Sequence, residues 1–194
     1  MRLRGFLVGL MAASTLVAPP LSTPPLSAAA PSPALSGLTD AVAGRLALAD
    51  AVAASKWASG AAIDDPAREQ IVLETVSQLA LDLDPAYVRT VFRDQIEASK
   101  TVQRGLFAQW RLPGQTAPAA TPDLSAVRAA INELNVAIVD ELAASRGIVT
   151  TLRCPPELVA STTRTAADLG FDPLHVAALV QAGASVCAVS TGSS

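Results

Sequence analysis

The chain has 194 residues, enough for one domain with a real core or two small ones. Its residues are 51% hydrophobic but only 4% aromatic, with abundant Ala and almost no β-branched alternation, which argues against a sheet-rich fold and for helices packed on helices. The formal net charge is −3 and no basic run is visible, so nucleic acid is excluded as a partner.

The N-terminus "MRLRGFLVGLMAASTLVAPPLSTPPLSAAAPSP" has two arginines, an apolar run from Phe6 to about Ala18, then small residues and prolines. This is the layout of a secretory signal peptide, with cleavage expected near Ala29 between small residues, so that residues 1–30 are removed and 31–194 form the mature domain. The apolar run is short for a bilayer span, which argues against stable membrane insertion; an uncleaved N-terminal anchor is the rival reading. Removing the segment takes away Arg2 and Arg4 and no acid, leaving 12 basic against 17 acidic side chains. Any functional cation must then be a local one.

Prolines at 66, 85, 113, 118, 122, 155–156 and 173 punctuate long helical patterns. The first helix is expected from about Leu35 to Ser59. Its stripe runs Leu38, Val42, Arg45, Ala49, Val52 and Lys56, the spacing of one buried face. Eleven residues turn about 1100°, roughly 20° off whole turns, so Arg45 and Lys56 share that face about 16 Å apart. A buried cation must be paired or hydrogen-bonded, or it costs several kcal/mol. The ordinary alternative is that each snorkels at a helix edge.

The second helix is expected from Pro66 to about Leu83. In "DDPAREQ" Asp65 is the N-cap and Pro66 the first helical residue. Arg68 and Glu69 fall in the first turn, where free backbone N–H groups already favour anions. The third helix is expected from the cap Asp84-Pro85 to Trp110, with a stripe of Val88, Phe92, Gln95, Ser99, Gln103 and Leu106. Ser99 and Gln103 lie one turn apart on a face that otherwise wants to be apolar, and a buried Gln must find partners for both ends of its amide.

"LPGQTAPAATP" (112–122) reads as a loop. A fourth helix follows the cap Asp123, packing Leu124, Val127, Ile131, Leu134 and Ile138 inward, with Arg128 on the shoulder of that stripe. A fifth starts near Pro155 and a sixth after Asp172. The helix starts share an Asp-Pro or Asp-Leu device. No strand with turn chemistry is visible, so the fold expected is an all-α, six-helix bundle in one domain. Cys154 and Cys187, an even pair in an exported chain, read as one disulfide. With them and a lone His175 there is no metal-ligand spacing, so no metal site is expected. Arg45, Lys56, Arg68 and Arg128, with Ser99, Gln103 and Glu69, would line a polar cavity suited to a compact molecule with more than one carboxylate and a hydroxyl.

The pattern Arg45-x10-Lys56, then Asp65-x2-Arg68-Glu69, then Ser99-x3-Gln103 resembles the all-helical (AroQ-class) chorismate mutases. The signal peptide, "GRLALADAVAASKW", "DPAYVRTVFRDQIEAS" and the C-terminal cysteine pair look like the secreted subclass, which includes exported mycobacterial enzymes. The resemblance covers about residues 36–190. It implies rearrangement of chorismate to prephenate, an intramolecular bond shift that needs no nucleophile, metal or cofactor, catalysed by positioning and electrostatics.

By similarity Arg45 and Arg128 clamp the two carboxylates, Lys56 and Gln103 donate to the ether oxygen, and Arg68 and Ser99 support carboxylate binding. Glu69 and the backbone near Asp65 hold the ring hydroxyl, with Gln70 and Val72 as competing matches for that contact. Some secreted members have Glu where this chain has Gln103. A Glu must be protonated to donate and a Gln need not be, so the activity expected here has a broad pH profile.

The fourth helix resembles the one that a second subunit donates in the short-form enzymes. That implies a complete site within each protomer of a homodimer. The location implied is secreted or periplasmic. The alternatives are an exported helical protein that binds a small anion or an envelope or host partner without catalysis, and a purely structural bundle.

Overall fold

The computed structural model describes residues 34–119 and 122–188. The expected signal segment, residues 1–30, lies outside them. Among the described residues every regular element is an α-helix: α1 (Ser36–Ala47), α2 (Ala49–Ser59), α3 (Pro66–Leu79), α4 (Pro85–Trp110), α5 (Leu124–Ala144), α6 (Arg146–Val149), α7 (Cys154–Asp168) and α8 (Pro173–Ala182).

The 26-residue α4 is the axis of the bundle, with α2, α3 and α8 packed on it. α1 lies against α5 and α7. Val88, Val91, Phe92 and Val102 of α4 are fully buried and meet Leu38 and Leu46 of α1, Val76 of α3, Ile138 and Leu142 of α5, and Leu179 of α8 in one core. Burying each such side chain contributes roughly 1.5–3 kcal/mol. With few aromatics, closeness comes from small residues instead. Gly105 of α4 lets Leu174 of α8 come so near that a Cβ there would meet its methyls at 2.5 and 2.8 Å.

Asp65, Asp84, Asp123 and Asp172 cap α3, α4, α5 and α8 through their side chains, accepting from the backbone N–H of Arg68, Ala86, Ser125 and His175 at 2.9–3.1 Å. Each cap contributes about 1 kcal/mol. The device is not universal, however. α1 and α7 begin without a side-chain cap, and α7 relies on Pro155 and Pro156 in its first turn.

Three boundaries differ from the sequence expectation. The first expected rod is broken at Leu48, where ψ of −10° loosens one turn and separates α1 from α2, although the buried stripe continues through Ala49. α3 ends at Leu79 rather than Leu83. Ala80 leaves helical geometry (ψ 49°) and the chain turns through Leu81–Leu83 before Asp84, extended (ψ 117°) ahead of Pro85, starts α4. The single turn α6 fills the gap before α7. The six expected helices therefore become eight.

Cys154 at the start of α7 is joined to Cys187 beyond α8, as expected. The bond closes a loop with a sequence separation of 33 residues, a constraint that stabilises by about 4 kcal/mol in the chain-entropy account. Tyr87 of α4 reinforces the same corner. Its hydroxyl donates to the Val186 carbonyl at 2.6 Å, and burial pushes its pKa up to about 12.

Candidate active site

The break at Leu48 leaves Arg45 at the end of α1 and Lys56 near the end of α2 on a common side. The N-terminus of α3 faces them with Asp65, Arg68 and Glu69. α4 runs between with Ser99 and Gln103, and α5 adds Arg128. All eight of these residues border one cavity of about 120 Å³. Its apolar walls are Val52, Val72, Ile96 and Ile131, from four helices.

Arg45 is buried, as the stripe required. Its Nε donates to Asn135 Oδ1 at 2.8 Å and its Nη1 to the Gln95 carbonyl at 3.2 Å. Its guanidinium carbon stands 6.0 Å from the Phe92 ring centroid. Burial pulls its pKa from 12.5 down to about 10, so it stays charged at neutral pH. None of these partners is an anion.

Lys56 is half-buried, and its Nζ donates to the Ile63 carbonyl at 2.6 Å. Burial lowers its pKa, against the opposing pull of Asp65, Asp64 and Glu69. Arg68 is half-buried in the first turn of α3. Arg128 borders the cavity but is exposed, so the shoulder position read from the sequence lies on the solvent side of the α5 stripe. Among the described residues no carboxylate forms an ion pair with Arg45, Lys56, Arg68 or Arg128. A charge held out of water without a counterion is costly, by several kcal/mol for a fully buried one. Arg45 is the fully sheltered one; with Lys56 and Arg68 half-buried and Arg128 at the exposed rim, the four make the cavity attractive to an anion.

Gln103 is buried, and its Nε2 donates to Ser99 Oγ at 3.1 Å while its Oε1 is buried without a partner. Turning the amide over lets the Ser99 hydroxyl donate to Oε1 and leaves the amide N–H₂ free instead. In either orientation one end of Gln103 stays unpaired until something else supplies the bond. Of the three residues competing for the hydroxyl contact, Gln70 donates to Glu74 on the exposed side of α3 and is not part of the lining. Val72 is apolar. Glu69 is the one that offers the cavity an acceptor.

Two polar residues of the site were not anticipated. Asn135 fixes Arg45, and it, rather than Leu134, is the fully inward residue of its turn of α5. Its signal is a two-turn step from Arg128 on a helix whose buried residues are otherwise Val127, Ile138, Val139 and Leu142. Lys100 is buried beside Ser99 and also borders the cavity. Its Nζ lies 2.6 Å from Glu97, 3.1 Å from Glu69 and 3.3 Å from Asp64. Burial alone would lower its pKa, but the hydrogen bonds to Glu97, Glu69 and Asp64 outweigh it and raise the value.

The chain matches a family model described as chorismate mutase type II over residues 36–104, which span α1 to most of α4. It is 45% identical over 152 residues to the secreted chorismate mutase of Mycolicibacterium smegmatis, covering 77% of this chain and 84% of that protein. It is 34% identical over 166 residues to the secreted chorismate mutase of Mycobacterium tuberculosis, covering 84% and 83%. The crystal structure of a chorismate mutase from Burkholderia thailandensis superposes with a TM-score of 0.76 at 36% identity, covering 79% of this chain and 99% of that one. The cations and amides that stood out on the helix stripes thus lie in a sequence and a fold shared with those enzymes, and the chain belongs to the type II chorismate mutase family.

Proposed function

We propose that the cavity binds chorismate as its dianion and holds it in the compact conformer that rearranges to prephenate. The observation that carries the reading is the set of four cations from four helices, Arg45, Lys56, Arg68 and Arg128, which border one cavity and have no carboxylate of their own. The substrate brings the two carboxylates that the protein withholds.

In the rearrangement the ether C–O bond breaks as a C–C bond forms within the same molecule. No proton is transferred and no group leaves. Negative charge grows on the ether oxygen in the transition state. Arg45 and Arg128 hold the two carboxylates, with Arg68 and Ser99 in support, so the reacting carbons are brought together before the reaction starts. The Lys56 ammonium and the Gln103 amide donate to the ether oxygen, where their bonds strengthen as charge develops. Glu69 and the backbone near Asp65 take the ring hydroxyl. The residues that do this are pre-placed by Asn135, by the Gln95 and Ile63 carbonyls and by the α3 cap, so little reorganisation accompanies the reaction.

The enzyme is secreted. Both mycobacterial relatives carry that word in their names, and a disulfide persists in an oxidising compartment. No described helix is long and apolar enough to cross a membrane. Residues 1–30 serve as the removable export signal. The mature chain acts as a homodimer with a whole site in each protomer, because Arg128 comes from α5 of the same chain.

A continuous assay of chorismate loss tests the reading. Arg45→Ala and Lys56→Ala are each expected to lower kcat/KM by about two to three powers of ten, with far-UV circular dichroism nearly unchanged. Wild-type protein that is folded and disulfide-bonded yet inert toward chorismate would overturn it in favour of an anion binder without catalysis.

A further inference from the structure

Lys100 differs from the other cations of the cavity. It is as sheltered as Arg45, with its side chain 10% exposed, but it is saturated by carboxylates. Glu97 comes from its own helix, one turn back. Asp64 comes from the loop before α3, and Glu69 from the first turn of α3. Asp64 also accepts from Arg104 Nη2 at 2.8 Å, which ties the loop to α4 a second time.

This arrangement settles two things at once. Glu69 meets Lys100 through Oε1. Its Oε2 has no hydrogen bond among the described residues, so it is an acceptor left over at the cavity edge. The loop carrying Asp64 also carries Ile63, whose carbonyl holds Lys56. Asp64, Asp65 and Glu69 all lie near enough to Lys56 to favour its charge. Without Lys100, Glu69 would be left beside Lys56, an unpaired cation on the same cavity. Pairing there would fill the cavity with the protein's own carboxylate.

We propose that Lys100 is a positioning residue that holds Glu69 by one oxygen, keeping it off the substrate-binding cations and aiming its other oxygen at the ring hydroxyl. The inference rests on the assignment of Glu69 to that hydroxyl. Lys100 itself touches no reacting atom. Its ammonium is committed to three carboxylates, whereas the Lys56 ammonium is held by a single carbonyl and is free to meet a ligand.

The test compares two inhibitors, a bicyclic ether dicarboxylate that mimics the transition state and the same compound without its hydroxyl. Wild-type enzyme should prefer the hydroxylated one by roughly ten- to a hundredfold, the range of a hydrogen bond to a charged group. Glu69→Gln and Lys100→Met should each remove most of that preference, and the double variant should lose no more than either alone. Lys100→Arg should restore part of it.

Since Lys100→Met leaves three carboxylates facing one another, Lys100→Met with Glu97→Gln serves as the variant with less repulsion. If Glu69→Gln abolishes the preference but the Lys100 variants weaken both inhibitors equally, Lys100 is merely structural and the proposal falls alone. If Glu69→Gln leaves the preference intact, the hydroxyl assignment falls and the proposal falls with it.

Discussion

Two groups of cations lie within this bundle, and they are treated oppositely. At the cavity, Arg45, Lys56, Arg68 and Arg128 have neutral partners or none. At Lys100, and again at His175, each cationic or basic group is bracketed by two or more carboxylates. Saturated charges hold segments together: Lys100 joins α4 to the α3 entry, and His175 joins α8 to α2. The unpaired charges hold segments only through neutral groups, Arg45 through Asn135 and the Gln95 carbonyl and Lys56 through the Ile63 carbonyl. In the proposed function a ligand with complementary charge supplies the counterions. Supplying carboxylates to Lys100 and withholding them from Arg45, Lys56, Arg68 and Arg128 is what the proposed anion site requires.

The sharpest way to break this contrast is to give the bare group a carboxylate of its own. Val52 lines the cavity one turn before Lys56 on α2. Val52→Glu places an acid at i relative to a lysine at i+4, the favourable order on a helix. The protein should then fold at least as well, with an unchanged or raised Tm, while kcat/KM falls by about two to three powers of ten because Lys56 is lost to the ether oxygen. Retained activity in a well-folded Val52→Glu enzyme would show that Lys56 does not need to be bare. The stability of the variant separates self-occupation of the site from simple damage to it.

Much of this contrast is legible in the sequence. Arg45 and Lys56 stood on a strict 4-3-4-3-4 apolar stripe, where a cation violates the pattern, and Ser99 and Gln103 violated the next stripe in the same way. The Asp caps fixed the entry of α3 and hence Arg68 and Glu69. Lys100 was not legible. It is adjacent to Ser99 but off the stripe that was followed, and its burial depends on Asp64 and Glu69, which only the tertiary fold brings to it. Asn135 was not legible against Leu134, because a shift of one residue, about 100°, in which side chain faces inward leaves little trace in a helix rich in apolar residues. The break at Leu48 has neither Pro nor Gly at its position, so the sequence carries no signal for it. The early end of α3 was not legible, since Pro85 restricts Asp84 alone and the helix is left at Ala80.

A smaller effect concerns the neutral donor in the bare group. With Gln103 as donor, kcat/KM should be flat between pH 5 and 8. On the alkaline side it should fall as Lys56 loses its proton, and that fall should begin earlier than for a lysine of ordinary pKa 10.5, since burial lowers it. Gln103→Glu should retain activity only where the carboxyl is protonated. Its activity should therefore rise as pH falls, with the loss at pH 8 roughly ten- to a hundredfold relative to wild type. Measuring kcat/KM for both proteins across pH 4–10 checks this. Parallel profiles would remove Gln103 from the ether contact.

The smallest effect belongs to the saturated group, and its sign distinguishes the two kinds of charge. His175 Nδ1 lies 3.0 Å from Asp172 and its Nε2 lies 2.9 Å from Asp50. Burial favours the neutral ring, but the hydrogen bonds to Asp172 and Asp50 outweigh it and raise the pKa above its ordinary 6.5. Asp172 is itself held below the usual carboxylate range, first by the His175 backbone N–H and then by the ring, so it remains charged while the histidine titrates. A raised pKa in the fold means that the folded state binds the proton more tightly than the unfolded chain does. The stabilisation is thus complete below pH 6.5 and is lost as pH climbs through the folded value. Both carboxylates are more than half exposed, so the effect is modest. Replacing His175 by Asn should lower Tm by roughly 2–4 °C near pH 5.5, about 1 kcal/mol in a chain of this size, and by less as pH rises to 8.5. A gap that instead widened with pH would mean that the ring is held neutral, and the clasp between α2 and α8 would then be a hydrogen bond with no charge in it.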